Sequence, residues 1–221
     1  MQRSDPYWAV QFCAEYFGYS PDLVGFMSSK AGSDALFALW QDIRYQIYET
    51  GLYLLREECY RSFHPVAESD RCPEFFEGLN LESDLILDYG GGTGEYARRD
   101  WYDKGGSADF FEVSTMANEY RLAKFTGFGN LEDVVNVRPG KYDAIICMDV
   151  LEHLINPIEV THEIYDGLRS GGQLLVKFAT GLGIAGHLEE SIALAPEWLD
   201  YVRAHFGLVK EFGGVFWLIK R

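Results

Sequence analysis

The spacing of apolar residues divides the chain into a helical first part and an alternating remainder. Between Ser33 and about Phe63, apolar side chains recur at the three- and four-residue intervals of a helix, at Leu36, Trp40, Ile43, Ile47, Leu54 and Leu55. This spacing predicts one long or broken helix, with Ser33 as its cap and Gly51 as the break. The aromatic-rich stretch Pro6–Met27 predicts one or two shorter helices. We therefore expect residues 1–80 to form a helical cap over a second domain, residues 81–221.

After residue 80, short apolar runs alternate with helical patterns. Four runs have the continuous apolar character of buried parallel strands: Leu85–Leu87, Ala108–Val113, Ala144–Met148 and Gln173–Phe178. A weaker run, Lys124–Phe128, is the candidate for the remaining parallel strand, third in chain order. Strands that alternate with helices in this way indicate a parallel sheet.

Turn and cap residues mark where the intervening helices begin and end. One helix is predicted to start at Pro157, with Asn156 as its cap, and to end at Gly171-Gly172; another should span Pro196–Phe206. The dipeptide Gly213-Gly214 between two apolar runs predicts a closing hairpin. The predicted fold is therefore a doubly wound, seven-stranded, mostly parallel α/β sheet with an antiparallel C-terminal hairpin and an N-terminal helical cap. In such sheets ligands bind beyond the carboxyl ends of the strands, where the winding reverses.

The net charge indicates which classes of molecule the protein binds, and the cysteine spacing indicates its compartment. Acidic residues outnumber basic ones 34 to 19, a net charge of −15, and no basic run could follow a phosphate backbone. A small molecule or a protein is the expected partner, and nucleic acid is not. The four cysteines are scattered without C-x-x-C spacing, which favours reduced thiols, a cytoplasmic setting and no metal site. The first residues lack a signal-peptide pattern, and no apolar run has membrane-spanning length, so we expect no membrane association.

A glycine cluster follows the first predicted strand, in the segment Asp88-Tyr89-Gly90-Gly91-Gly92-Thr93-Gly94. Glycines let a backbone turn sharply and approach a ligand more closely than a Cβ would permit. A dinucleotide fingerprint would place glycine at position 95, where this chain has Glu95. A carboxylate there is unfavourable beside a pyrophosphate, so another ligand is expected.

Three segments in order resemble class I, Rossmann-like S-adenosylmethionine-dependent methyltransferases of small-molecule type. The first is Leu85–Gly94, similar to the family's acidic residue and G-x-G-x-G loop. The second is Tyr142–Leu154, with its Leu-Glu-His-Leu ending, and the third is Leu168–Val176, similar to the family's turn into the fifth strand. Each motif alone is weak, but the ordered set is specific.

The resemblance implies S-adenosylmethionine as the cofactor and assigns its contacts. Asp88, Gly90, Gly92 and Gly94 would hold the methionine portion. Glu112, at the end of the second strand, would accept the ribose hydroxyls, unless it is a solvated loop carboxylate. Asn130 is the nearest match to the residue that contacts adenine, although the family often has an acidic side chain there. Met148 and Asp149 would lie under the adenosine or near the transferring methyl.

Methyl transfer from a sulfonium is an in-line displacement, so the enzyme mainly positions the acceptor and excludes water. A base helps only if the acceptor carries a proton. Glu152, His153 and His187 are the catalytic candidates, and His153 is equally compatible with capping or packing. His187 lies in Gly186–Ser191, which resembles a segment that borders the acceptor pocket in small-molecule members.

The acceptor side depends on the first eighty residues. Tyr7, Trp8, Tyr16 and Tyr48 are expected to include acceptor contacts, or else to form ordinary core or the surface of a homodimer. The favoured function is O- or N-methylation of a small molecule. The alternatives are a nucleotide-dependent oxidoreductase or epimerase on the same fold, a non-catalytic S-adenosylmethionine-binding module, and a protein methyltransferase.

Overall fold

The N-terminal part of the chain is helical, as predicted. The computed structural model describes residues 8–43, 46–47, 50–63, 72–98, 100–127, 131–181, 184 and 186–221. Four helices come first: α1 (Trp8–Phe17), α2 (Pro21–Met27), α3 (Lys30–Ile43) and α4 (Gly51–Phe63). The break expected at Gly51 is confirmed, because α4 begins there. The prediction that Ser33 caps a helix is wrong, because α3 already begins at Lys30.

Strands and helices then alternate along the rest of the chain. They are α5 (Pro73–Glu77), β1 (Leu85–Tyr89), α6 (Glu95–Arg98), β2 (Ser107–Phe111), α7 (Thr115–Lys124), β3 (Leu131–Asp133), β4 (Tyr142–Met148), α8 (Pro157–Gly167), β5 (Leu168–Lys177), α9 (Glu189–Ala193), α10 (Ala195–His205), β6 (Phe206–Phe212) and β7 (Val215–Lys220). Two short 3-10 helices, Tyr102–Lys104 and Leu151–His153, follow α6 and β4.

The seven strands form one sheet in the order β3-β2-β1-β4-β5-β7-β6. Strands β1 to β5 are parallel, and β7 runs antiparallel to both β5 and β6. The predicted fold class is therefore confirmed. Within β1, Ile86 pairs with Ala108 of β2 on one side and Ala144 of β4 on the other. The winding reverses between β1 and β4, so a ligand is expected beyond their carboxyl ends.

Three local predictions are wrong. The third strand is Leu131–Asp133, whereas Lys124 of the predicted run is the last residue of α7. Helix α8 ends at Gly167, and Gly171-Gly172 lies inside β5, near a shift in its register with β4. Asn156 does not cap α8 through its side chain, because its amide donates to Glu159 Oε2 at 2.8 Å instead.

Apolar side chains cover both faces of the sheet. Because side chains alternate along a strand, Ile145 and Cys147 pack into one cluster, while Ile146 and Met148 pack into the other. A third cluster joins the N-terminal helices to α7, with Tyr120 of α7 fully buried in it. The N-terminal helices are thus packed against the element that follows β2.

All four cysteines are buried and free of disulfides: Cys13, Cys59, Cys72 and Cys147. Among the described helices, none is both long enough and apolar enough to cross a lipid bilayer.

Candidate active site

The glycine loop lies at the carboxyl end of β1, and Gly90 and Gly92 illustrate why it is built from glycine. Gly90 and Gly92 have φ angles of +64° and +52°, in the region that side-chain-bearing residues avoid. A Cβ on Gly90 would meet Val150 Cγ2 at 2.7 Å, whereas a Cβ on Gly92 would meet nothing within 4 Å. The loop therefore packs closely against the segment after β4 at Gly90 and faces open space at Gly92.

That open space belongs to a cleft at the switch point of the sheet. It encloses about 740 Å³ of empty volume, a figure that includes open solvent at its mouth. Its lining comes from the ends of β1, β2 and β4, the start of α7, and helix α4: Tyr53, Tyr89, Gly90, Gly92, Phe111, Glu112, Val113, Ser114, Ala117, Asp149, Val150, His153 and Leu154.

Asp88 lies beneath the loop rather than in the cleft. Its carboxylate is buried and accepts a hydrogen bond from the Tyr102 hydroxyl at 2.6 Å. A Cβ on Gly91 would collide with this carboxylate. Burial raises the pKa of Asp88, while the nearby Arg121 guanidinium and the Tyr102 hydrogen bond oppose that rise. Asp88 therefore supports the loop from below.

Glu112 follows β2 and lines the cleft beside Gly92. Its Oε1 accepts a hydrogen bond from the Val113 amide at 2.9 Å. Desolvation raises the pKa of Glu112, and the Arg121 charge, together with hydrogen bonds from the amides of Val113, Ser114 and Gly92, works against the rise. The carboxylate thus joins the glycine loop to the start of α7.

Arg121 is a functional candidate that the sequence analysis missed. It is fully buried on α7, and its guanidinium carbon lies 4.0 Å from the centre of the Phe110 ring. Its charge acts on both Asp88 and Glu112, so it offsets the negative charge under the cleft. Its spacing of four positions from Ala117 places both on one helix face, but only the packing of α7 shows that this face lies at the cleft.

Glu95, which argued against a pyrophosphate, is engaged in a buried ion-pair network. Its Oε1 lies 2.7 Å from Lys124 Nζ, and its Oε2 lies 3.3 Å from Arg98 Nε. Lys124 also donates to the Thr93 carbonyl of the glycine loop at 3.1 Å and to Glu58 Oε1 at 2.6 Å. The Glu95 charge is therefore paired with cations behind the loop, and the side chain is not part of the cleft lining.

Asp149 and Met148 end β4 with opposite environments. Asp149 lines the cleft and has a φ of 54°. Its carboxylate accepts a hydrogen bond from the Tyr96 hydroxyl and forms an ion pair with Lys177, whose Nζ lies 3.3 Å from Oδ1. A positive φ in a residue other than glycine marks a backbone held by its surroundings, often at functional sites. Met148 is buried in the sheet core and is not part of the cleft lining.

The three predicted catalytic residues come together after β4. The Leu188 amide donates to the Glu152 carbonyl at 2.9 Å, and Ser191 Oγ donates to the Leu151 carbonyl at 2.7 Å. These bonds hold the segment after β5 against the 3-10 helix Leu151–His153. As a result, the rings of His153 and His187 have centroids 5.0 Å apart, and His187 Nε2 lies 3.7 Å from Glu152 Oε1.

Burial dominates the protonation of this cluster. It raises the pKa of Glu152 to about 8, with Asp149 adding to the rise and the amides of Glu152 and Ala179 opposing it. It lowers the pKa of His153 to about 4, helped by His187 and opposed by a backbone hydrogen bond with Gly186. At neutral pH both groups are therefore held mainly in their uncharged forms.

The structure brings some of the predicted site residues into one cleft. Gly90, Gly92, Glu112, Asp149 and His153 line it. Asp88, Gly94, Met148, Glu152 and His187 lie around it. Asn130 lies outside the described residues. Four further lining residues were not predicted: Tyr53, Ser114 and Ala117, which belong to no motif, and Val150, which lies within the Tyr142–Leu154 motif.

Two of the four predicted N-terminal contacts are described by the structure, and they are not part of the cleft lining. Trp8 is buried and Tyr16 is 42% exposed, and neither lines the cleft. Tyr7 and Tyr48 lie outside the described residues. The N-terminal aromatic residue that does reach the cleft is Tyr53 of α4.

Comparison with known proteins agrees with this fold. Residues 60–209 match a family model described as a methyltransferase domain, so the chain belongs to this methyltransferase domain family. The predicted enzyme class is confirmed at that level. The methyltransferase family implies S-adenosylmethionine as the cofactor.

Two solved structures share the fold. An S-adenosylmethionine-dependent methyltransferase from Aquifex aeolicus aligns with a TM-score of 0.52 at 16% identity, over 71% of this chain and 94% of its own. A protein from Sulfolobus solfataricus, described as a type 11 methyltransferase, aligns with a TM-score of 0.51 at 18% identity, over 70% and 92%.

One curated relative is similar in sequence. It is a tRNA U34 carboxymethyltransferase from Wolinella succinogenes, 31% identical over 123 residues. The alignment covers 51% of this chain and 41% of the relative. The similarity therefore spans less than half of that protein.

Proposed function

We propose that this protein transfers a methyl group from S-adenosylmethionine to a small-molecule acceptor, on oxygen or nitrogen. The observation that carries the proposal is the open space over Gly92, directly beside the half-buried carboxylate of Glu112. A ligand that lies across the loop approaches backbone at Gly92 and meets a hydrogen-bond acceptor at Glu112. A nucleoside with free ribose hydroxyls fits this pair of features.

The remaining cofactor contacts follow from the cleft. The methionine portion would lie along Gly90 and Gly92, and the sulfonium would be attracted by the carboxylates of Glu112 and Asp149. Asp88 and Gly94 would act by shaping the loop. Contacts of Asn130 with adenine and of Met148 with the adenosine remain predictions.

On the acceptor side, this chain's residues would position the acceptor and exclude water. Tyr53 of α4 and Leu154 line the cleft and supply apolar walls. His153 lies on the same lining, with Glu152 and His187 behind it. Residues 1–80 would therefore act as the acceptor-side cap of the cofactor-binding domain, residues 81–221.

A tRNA acceptor is the second candidate, because the curated relative is a tRNA-modifying enzyme. The net charge of −15 weighs against it, since tRNA binding relies on cations that neutralise phosphates. The small-molecule acceptor is the better supported of the two.

Calorimetric titration with S-adenosylhomocysteine tests the cofactor assignment. We expect one site per chain, and a folded, ligand-free protein without binding would refute the proposal. A gel-shift titration with bulk tRNA at low salt tests the acceptor class. No shift is expected, and a salt-dependent shift accompanied by methyl incorporation into tRNA would favour the second candidate.

A further inference from the structure

Beside the proposed cofactor cleft, a buried carboxylate lacks the partners that such a group requires. Glu152 is 0% exposed, and within the described part of the chain neither of its carboxylate oxygens accepts a hydrogen bond of normal geometry, although the amides of Glu152 and Ala179 are near enough to act on it electrostatically. Leaving a buried polar group unsatisfied is costly, so each instance calls for an explanation. A cation between this carboxylate and its neighbours would satisfy it.

Two imidazoles share the same space as the orphaned carboxylate. One ligand atom each from Glu152, His153 and His187 can be chosen so that all lie within 4.8 Å of one another. Tetrahedral bonds of about 2.0 to 2.2 Å to a shared ion would place such atoms about 3.3 to 3.6 Å apart. The separations would therefore have to shrink by at most about 1.5 Å, which shifts of less than about 1 Å in each of two side chains would supply.

His187 is already oriented as a metal ligand would be. Its Nδ1 lies 2.7 Å from the carbonyl oxygen of Gly181, which can only accept a hydrogen bond. In the neutral ring this places the proton on Nδ1 and leaves a lone pair on Nε2, the atom that lies 3.7 Å from Glu152 Oε1. Metal-binding histidines are typically fixed by such a bond from the other ring nitrogen.

We propose that Glu152, His153 and His187 form a binding site for one divalent transition-metal ion, with Zn²⁺ as the best match. Two imidazoles and one carboxylate suit Zn²⁺ better than Mg²⁺, which prefers oxygen ligands. The cysteine spacing gave no sign of this site because its ligands come from two segments 34 positions apart and include no thiol.

The site has an entry path and an open side. His153 lines the cleft, so an ion can reach it from solvent. Three protein ligands leave at least one coordination position free, as in catalytic rather than structural zinc sites. In catalysis, the free position would receive an oxygen or nitrogen atom of the acceptor. This catalytic role rests on the proposed methyl transfer. Metal binding itself does not depend on that function.

Competition of the full chain against a chromophoric zinc chelator tests the site, after the protein has been freed of metal. We expect one Zn²⁺ per chain, and affinity at least about 100-fold weaker in His187→Ala and Glu152→Gln. His162→Ala, which removes an exposed histidine outside the cluster, should leave the affinity unchanged. Zinc binding that is absent, or equally strong in all variants, would overturn the proposal. S-adenosylhomocysteine titration of the same variants should still give one site, which verifies their folding and separates this test from the cofactor test.

Discussion

Lys124 Nζ lies 2.6 Å from Glu58 Oε1, and both side chains are at most 1% exposed. This contact joins α7, which follows β2, to α4 of the N-terminal helices. Tyr120 donates a second hydrogen bond to the same Glu58 oxygen at 2.7 Å. The N-terminal helices and the helix that follows β2 are thus connected by a buried ion pair.

Removal of one partner of this pair should be strongly destabilising. We expect Lys124→Met to lower the free energy of unfolding by about 3 to 5 kcal/mol, because it leaves the Glu58 carboxylate buried without its cation. The double variant Lys124→Met/Glu58→Met should lose less than the sum of the two single losses. Urea denaturation of all three measures the coupling, and strictly additive losses would contradict it. Lys30→Met, in an exposed pair, is the control and should have little effect.

Gly92→Ala should weaken cofactor binding beyond its effect on stability. Both Gly92 and Gly140 have positive φ angles, +52° and +63°, and space for a Cβ, so alanine imposes a similar backbone strain at each. Only Gly92 lines the cleft. Calorimetry with S-adenosylhomocysteine should give a loss of at least about tenfold for Gly92→Ala, or roughly 1.4 kcal/mol, and no loss for Gly140→Ala. Equal affinities would place the ligand away from the loop.

Glu112→Gln should reduce cofactor affinity by about 10- to 100-fold, because a charged acceptor of two hydroxyl hydrogen bonds is replaced by a neutral one. The matched control is Glu119→Gln, an exposed carboxylate on α7. Isothermal titration of both variants provides the comparison. Unchanged binding in Glu112→Gln would remove this residue from the cofactor site.

Cofactor affinity should depend on pH through Glu112. Its folded-state pKa is raised by burial, so the anion that accepts the ribose hydroxyls is lost at a higher pH than for an ordinary glutamate. Affinity should be constant above that pKa and fall about tenfold per pH unit below it. Titrations from neutral pH down to the ordinary titration range of glutamate should resolve this decline, and Glu112→Gln should abolish it. A decline that persists in the variant would assign the titration to another group.

The sequence predicted the sheet well because its buried strands are continuous apolar runs and its cofactor loop has a distinctive glycine pattern. It placed β3 wrongly because Leu131–Asp133 is only three residues long and two of them are exposed. At the candidate site, motifs located Gly90, Gly92 and Asp149. Arg121 and Tyr53 were missed because their positions depend on how α7 and α4 pack, which no local pattern encodes.

The two roles of helix α4 constrain any attempt to exchange acceptor specificity between related chains. It carries Tyr53, which lines the cleft, and Glu58, which pairs with Lys124, only five positions apart. A graft that replaces this helix to alter the pocket must therefore also bring a carboxylate at position 58. Without that carboxylate, Lys124 would lose one of its buried counter-ions. The cleft residue Tyr53 and the ion pair between α4 and α7 therefore have to be exchanged together.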